Sequence, residues 1–261
     1  MKRLITVISF LYISLLAFAQ GPLKFLGIPI DGPEAQFISQ LKGKGFLYDS
    51  ANNRYKGQFN GHTVSVYIHS NHNLMDRVYV AFPTTTSLII REQFNRLLSQ
   101  FNESPKYLTL SINTEIPNDE DIAYEISVNK KRYQAIYSYF DSNRDSEDFV
   151  NGVLETFSDY FTDEQLAKLK EYYQESKDLI GSDFEEFQGK LMEEMQSMGL
   201  GQKMNAETDP VKAYQSLLRI LGKMRSLADG EVWFMIHGEH GRYNLGLYYD
   251  NLHNRPHGED L

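Results

Sequence analysis

Apolar and polar residues alternate with period two in three successive segments of the first half of the chain. The regularly spaced positions are Tyr55, Gly57 and Phe59, then Val64, Val66 and Ile68, then Val78, Val80 and Phe82. This spacing is typical of strands that bury one face. Asn60-Gly61 separates the first two segments and predicts a type I′ hairpin turn, which needs positive φ at both positions. The pattern therefore predicts a three- or four-stranded antiparallel meander.

Helical spacing flanks this meander on both sides. Pro33 suits the first position of a helix that presents Phe37, Ile38 and Leu41 on one face and ends at Gly43 or Gly45. Ile90, Phe94, Leu97 and Phe101 mark a second amphipathic helix from about Ser87 to Asn102. We interpret residues 20–104 as one helix–meander–helix α+β unit.

Residues 105–261 are predicted to form a second α+β unit, after a boundary at Pro105 and the acidic loop 117–121. Its first hairpin is predicted to join Ile122–Val128 to Tyr133–Phe140. A last hairpin is predicted to join Glu231–His237 to Arg242–Asp250. If His237 pairs with Arg242, Trp233 lies opposite Gly246, and an aromatic side chain across a strand glycine is a known packing device.

Residues 145–228 change to a helical pattern with four successive capping signals. These are Ser146, Thr162 with Gln165, Ser182 with Glu185, and Asp209 followed by Pro210. We interpret this segment as a helical insertion between the second and the last hairpin. The predicted fold class is thus α+β, with antiparallel sheets built from hairpins, packed helices and one helical insertion.

Residues 1–19 have the order of a secretory signal peptide. Lys2 and Arg3 precede an apolar run, and Ala17-Phe18-Ala19 provides small residues at an A-x-A-like cleavage site. The chain has no cysteine, so it lacks the residue on which bacterial lipoproteins are acylated. We therefore expect a soluble periplasmic or secreted protein without a membrane anchor, cleaved near Ala19.

The formal net charge of −9 disfavours two classes of partner. An acidic domain without a basic stripe lacks the electrostatic footprint for nucleic acid and is repelled from anionic lipid. The absence of cysteine also excludes disulfides and a thiol nucleophile. No G-x-S-x-G or Gly-rich phosphate loop occurs, so the sequence predicts neither a cofactor nor catalytic residues.

Two histidine clusters are candidates for chemistry. His69, His72 and Asp76 surround a predicted strand connection and offer ligands for a divalent metal, although His and Asn are also ordinary turn residues. This set supports the alternative of a metal-assisted hydrolase. The segment from His237 to Gly241 places a glutamate between two histidines. A tight turn there would direct these side chains into solvent, where general acid–base catalysis is not favoured.

Aromatic residues in the predicted strands are the positive signal for binding. Some of the strand tyrosines fall on the face opposite the aliphatic positions. We predict that an exposed sheet face or edge with Tyr67, Tyr79, Trp233 and Tyr248 binds a protein or peptide partner. Stacked tyrosines leave a glycan-binding module as another alternative. The structural alternative to a binding role is that the helical insertion covers this sheet face. Strands favour tyrosine whether or not they bind a partner.

Several segments together resemble a set of uncharacterised exported proteins of Gram-negative gut anaerobes. They are Phe25-Leu26-Gly27-Ile28-Pro29-Ile30-Asp31-Gly32, Gly57-x-Phe59-x-Gly61, Pro117-x-Asp119-x-Asp121-Ile122-x-Tyr124-Glu125, Trp233-Phe234, Tyr248-Tyr249-Asp250-Asn251, Asn254-Arg255 and Gly258-Glu259-Asp260-Leu261. The helix-plus-meander units also resemble the repeats of beta-lactamase inhibitor proteins, which implies protein binding through an open sheet face. The sequence thus predicts an exported, soluble, non-catalytic binding protein of the cell envelope.

Overall fold

The computed structural model describes residues 21–141, 146–159, 161–176, 186, 209–239 and 241–255. Three predictions concern residues outside these ranges: the signal peptide at residues 1–19, the capping box of Ser182 with Glu185, and His240 of the second histidine cluster. The described chain divides into two compact units. One contains residues 21–141 together with the C-terminal residues from 228 onward, and the other contains the described residues between 146 and 227.

A seven-stranded antiparallel sheet dominates the first unit. Its strands, in chain order, are β3 (Leu47–Asp49), β4 (Arg54–Phe59), β5 (His62–Asn71), β6 (Leu74–Ala81), β7 (Gln134–Tyr139), β8 (Gly230–Glu239) and β9 (Arg242–Asn251). They are ordered β3-β4-β5-β6-β9-β8-β7 across the sheet. A separate two-stranded sheet pairs β1 (Lys24–Phe25) with β2 (Ile28–Pro29). The pairing of β6 with β9 joins strands of the two α+β units predicted from the sequence.

Helices pack on one face of the large sheet. These are α1 (Glu34–Gly43) and α2 (Ser87–Asn102), of which α1 contacts β6 and α2 contacts β8 and β9. The core includes Phe94 of α2, whose ring lies edge-on to Phe234 of β8 at 5.1 Å. Val66 and Val80 are fully buried on the same side of the sheet. The other sheet face carries the alternate residues of each strand.

The predicted α+β fold with antiparallel sheet and packed helices is confirmed, as are the meander, the last hairpin and the helix over Ser87–Asn102. Asn60 and Gly61 have φ values of 49° and 79°, as a type I′ turn requires.

The predicted second hairpin is wrong. Residues Ile122–Ser127 form a short helix, α3, and β7 pairs with β8 instead. Asp121 caps α3 by accepting a hydrogen bond from the backbone N–H of Tyr124.

The second unit is helical, as the sequence predicts for this segment. It contains α4 (Ser146–Phe157), α5 (Asp163–Ser176) and α6 (Pro210–Ser226), and α4 contacts both of the others. Thr162 and Gln165 form the predicted capping box through reciprocal hydrogen bonds of 2.9 and 3.3 Å. Asp209 caps α6 through the backbone N–H of Val211. Leu169 of α5 and Met224 of α6 are buried.

Candidate functional site

Four aromatic side chains stack in one row on the sheet face opposite the helices α1 and α2. Tyr67 of β5 pairs with Tyr79 of β6, Tyr79 with Tyr248 of β9, and Tyr248 with Trp233 of β8. Along this row the ring centroids are 5.4, 4.5 and 3.8 Å apart, with interplanar angles of 20°, 14° and 5°. We call these four residues the aromatic ladder. All four sequence-predicted binding residues belong to it.

The ladder follows from strand geometry and register. Neighbouring strands lie about 4.8 Å apart, so aromatic side chains at directly opposed positions meet at stacking distance. Because Tyr79 and Tyr248 each stack on a ring at either side, both faces of these two rings are covered. All four ladder residues are intermediate in exposure. Burial raises the pKa of Tyr79 and of Tyr248, so their hydroxyls remain protonated hydrogen-bond donors at neutral pH.

A buried carboxylate anchors one end of the ladder. Asp250 is fully buried and accepts a 2.7 Å hydrogen bond from Nε1 of Trp233. It also accepts hydrogen bonds from Nε of Arg77 at 2.5 Å and from a terminal guanidinium nitrogen of Arg255 at 2.7 Å. Burial raises the pKa of Asp250, and the hydrogen bonds from Arg77 and Trp233 oppose that shift. The carboxylate therefore fixes the orientation of the indole ring.

Trp233 lies opposite Tyr248, so the pairing of Trp233 with Gly246 expected from the sequence is wrong. The register of the hairpin is shifted by two residues from the one assumed, because Glu239 and not His237 pairs with Arg242. Gly246 still supports the ladder. A Cβ atom there would lie 2.9 Å from Nε2 of His237 and about 3 Å from the rings of Tyr79 and Tyr248. The predicted packing device occurs elsewhere in the hairpin, where the Tyr243 ring covers Gly238.

The residues of the predicted metal site come together only in part. Nδ1 of His69 and Oδ1 of Asp76 are 2.6 Å apart, with Asp76 buried and His69 64% exposed. His72 occupies the β5–β6 turn with φ of 50°, as a turn residue does. Within the described residues, no group of three or more His, Cys, Asp or Glu is placed to hold a metal ion. The geometry is that of a His–carboxylate pair beside a turn.

His237 lies in a strand rather than in a turn, since β8 continues to Glu239. Its predicted exposure in a hairpin loop is therefore wrong: the residue is intermediate in exposure and burial lowers its pKa. Nε2 of His237 is 3.3 Å from the hydroxyl of Tyr248. His237 thus connects the aromatic ladder to the surface at the β8–β9 end of the sheet.

A basic groove of about 690 Å³ lies at that end. Its lining includes Lys130, Lys131 and Arg132 from the connection between α3 and β7, and Arg242 from β9. His237 also lines the groove, and the part of its lining that the structure describes includes no carboxylate. We call this feature the basic groove. Sequence reasoning missed it, although three consecutive basic residues in an acidic chain were a visible signal.

The helices of the described residues include none with the length and apolar content that crossing a bilayer requires. Comparison of the chain with protein-family models, with curated proteins and with solved structures gave no match. The two resemblances inferred from sequence motifs therefore stay predictions, and the candidate site rests on its own geometry.

Proposed function

We propose that this protein is an exported, non-catalytic binding protein of the cell envelope and that its partner is a protein or peptide. The aromatic ladder carries this proposal. A continuous row of tyrosine and tryptophan side chains combines large apolar area with polar tips, and these are the residue types enriched at protein interfaces.

The stacking geometry favours a protein partner over a glycan. A sugar ring binds an aromatic ring by lying on its exposed face at van der Waals distance. Inside the ladder the centroid separations of 3.8–5.4 Å leave no space between rings for a third layer. What the row offers to a partner is ring edges and hydroxyl groups, which suit side chains and backbone groups of a polypeptide.

The alternative of a metal-assisted hydrolase has less support from the geometry. It would rest on His69 and Asp76, which hydrogen-bond to each other. A hydrogen bond of this kind orients a histidine in many structural settings as well as in metal sites. The ladder, by contrast, brings together residues from four strands at one surface.

Panning a random peptide library on the folded protein tests the proposal, with a glycan array probed in parallel. We expect a family of related peptides to be enriched. Tyr67→Ala should weaken their binding by about tenfold or more, since an interface aromatic is often a hot spot. Tyr214→Ala is the matched control, because Tyr214 is a half-exposed tyrosine on α6 of the helical unit and is not part of the ladder.

Two results would overturn the proposal. One is an oligosaccharide that binds with the same dependence on Tyr67, and the other is a peptide family that binds equally well to both variants. Zinc binding that is lost in His69→Ala, together with hydrolytic activity, would instead establish the hydrolase.

A further inference from the structure

The basic groove combines a positive lining with an acidic chain. The protein has 35 Asp and Glu against 26 Lys and Arg, yet four cationic side chains line this groove and, within the described residues, no carboxylate does. A volume of about 690 Å³ is within the range of ligand-binding clefts. A positively charged groove on a protein of negative net charge attracts anionic groups to the groove.

Two of the four cations have no partner of their own in the described part of the chain. Lys130 donates a hydrogen bond to the carbonyl of Ser127, and Lys131 forms an ion pair with Glu120. Among the described residues, no hydrogen bond or ion pair holds the side chain of Arg132 or of Arg242, and both residues are exposed. Their guanidinium groups are therefore free to bind a carboxylate in the bidentate manner that arginine favours.

The cations belong to two separate segments of the chain that meet at the groove. Lys130 and Arg132 belong to the α3–β7 connection, and Arg242 belongs to β9. An extended peptide directs successive side chains to opposite sides. An acidic peptide therefore presents carboxylates along its whole length to the cations of both segments.

The groove is also continuous with the aromatic ladder. His237 lines the groove and its Nε2 atom lies 3.3 Å from the hydroxyl of Tyr248 in the ladder. The groove and the ladder therefore adjoin at His237.

We propose that the basic groove binds an extended acidic segment of the protein partner, with Arg132 and Arg242 as its main carboxylate ligands. This inference rests on the proposed binding function and adds the chemical class of the partner. Charge complementarity of this kind raises the rate at which the two partners associate and fixes the position in which the peptide binds. Binding should therefore weaken as salt screens these charges.

A fluorescently labelled hexaglutamate peptide tests this inference by anisotropy at low salt. We expect saturable binding that the double variant Arg132→Glu/Arg242→Glu weakens by about tenfold or more, since two charge-assisted contacts are reversed. The double variant Lys42→Glu/Lys106→Glu makes the same change in net charge at exposed positions outside the groove lining and should bind as the parent protein does. The milder Arg132→Gln/Arg242→Gln checks that the effect survives without charge reversal.

Three outcomes would overturn the inference: no binding of hexaglutamate, equal weakening in both charge-reversed variants, or stronger competition by a sulfated oligosaccharide than by an acidic peptide. The proposed function is tested separately. If hexaglutamate fails while library peptides still depend on Tyr67, the groove assignment is wrong and the ladder assignment stands.

Discussion

The rings of Trp233 and Tyr248 lie 3.8 Å apart at their centroids and are inclined by only 5°. These residues are direct partners on β8 and β9, so the hairpin register alone brings them together. The indole N–H of Trp233 is at the same time committed to the buried carboxylate of Asp250. Stacking and hydrogen bonding therefore fix the same ring, and this gives the ladder a rigid end.

Replacing Trp233 by phenylalanine should destabilise the protein although a stacked ring remains. The substitution removes the N–H donor to the carboxylate of Asp250, and a hydrogen bond to a charged group contributes about 1.5–3 kcal/mol. Urea unfolding followed by circular dichroism measures the loss. Tyr48→Phe is the control, because it removes a hydrogen bond from an exposed hydroxyl to Asn53. Equal stability of the two variants would contradict a stabilising role for the hydrogen bond between Trp233 and Asp250.

Gly246→Ala should also destabilise the sheet, by about 1–3 kcal/mol, because the new methyl group would overpack the site. It would lie 2.9 Å from Nε2 of His237 and 3.0 Å from the ring of Tyr79. Gly222→Ala on α6 is the matched control. A Cβ atom at Gly222 meets nothing within 4 Å, so we expect it to stabilise the helix by about 0.5–1 kcal/mol. Thermal unfolding of both variants checks the opposite signs; a neutral Gly246→Ala would contradict the close packing.

Asp250→Asn should lower the free energy of unfolding by about 1–3 kcal/mol, because it leaves the donors of Arg77 and Arg255 facing a neutral amide. Both arginine side chains are about one third exposed, and partial rehydration limits the loss. Asp159→Asn breaks the exposed ion pair with Arg219 and should cost less than about 1 kcal/mol. Denaturant titration of both variants measures the difference, and similar costs would argue against a buried anchor.

The stability of the protein should depend on pH through His237. Burial places its folded pKa below the unfolded value of 6.5, so the unfolded chain binds more protons in the interval between these two values. Stability from this residue is therefore complete above pH 6.5 and decreases as the pH is lowered through the interval. His237→Gln should show a smaller loss of unfolding free energy between about pH 7.5 and about pH 5. An unchanged pH profile would contradict the buried, neutral histidine.

Local patterns predicted the parts of the fold that short-range chemistry determines. The helix over Ser87–Asn102, the Asn60–Gly61 turn and the cap of Asp209 on α6 depend on residues close in sequence. The segment Ile122–Ser127 was the exception. Its apolar and aromatic residues suit a strand, but the hydrogen bond from the N–H of Tyr124 to Asp121 begins a helix instead.

Long-range pairing could not be predicted from the sequence. Alternation indicated that some strand tyrosines lie opposite the aliphatic positions, but the alignment of Tyr67, Tyr79 and Tyr248 in a single row depends on the pairing of β6 with β9. The basic groove has the same origin, because Arg132 and Arg242 are brought together by the pairing of β7, β8 and β9. Periodicity indicates which face a residue occupies, and only the sheet order shows which residues it meets.

The fluorescence of Trp233 during titration with a peptide from the library tests the central claim most directly. Trp233 is the single tryptophan of the chain and is part of the ladder, so its emission reports on that surface alone. We predict a saturable change in emission whose midpoint matches the dissociation constant measured by calorimetry, and its loss in Tyr67→Ala but not in Tyr214→Ala. A peptide that binds by calorimetry while the emission of Trp233 stays constant would contradict binding at the aromatic ladder.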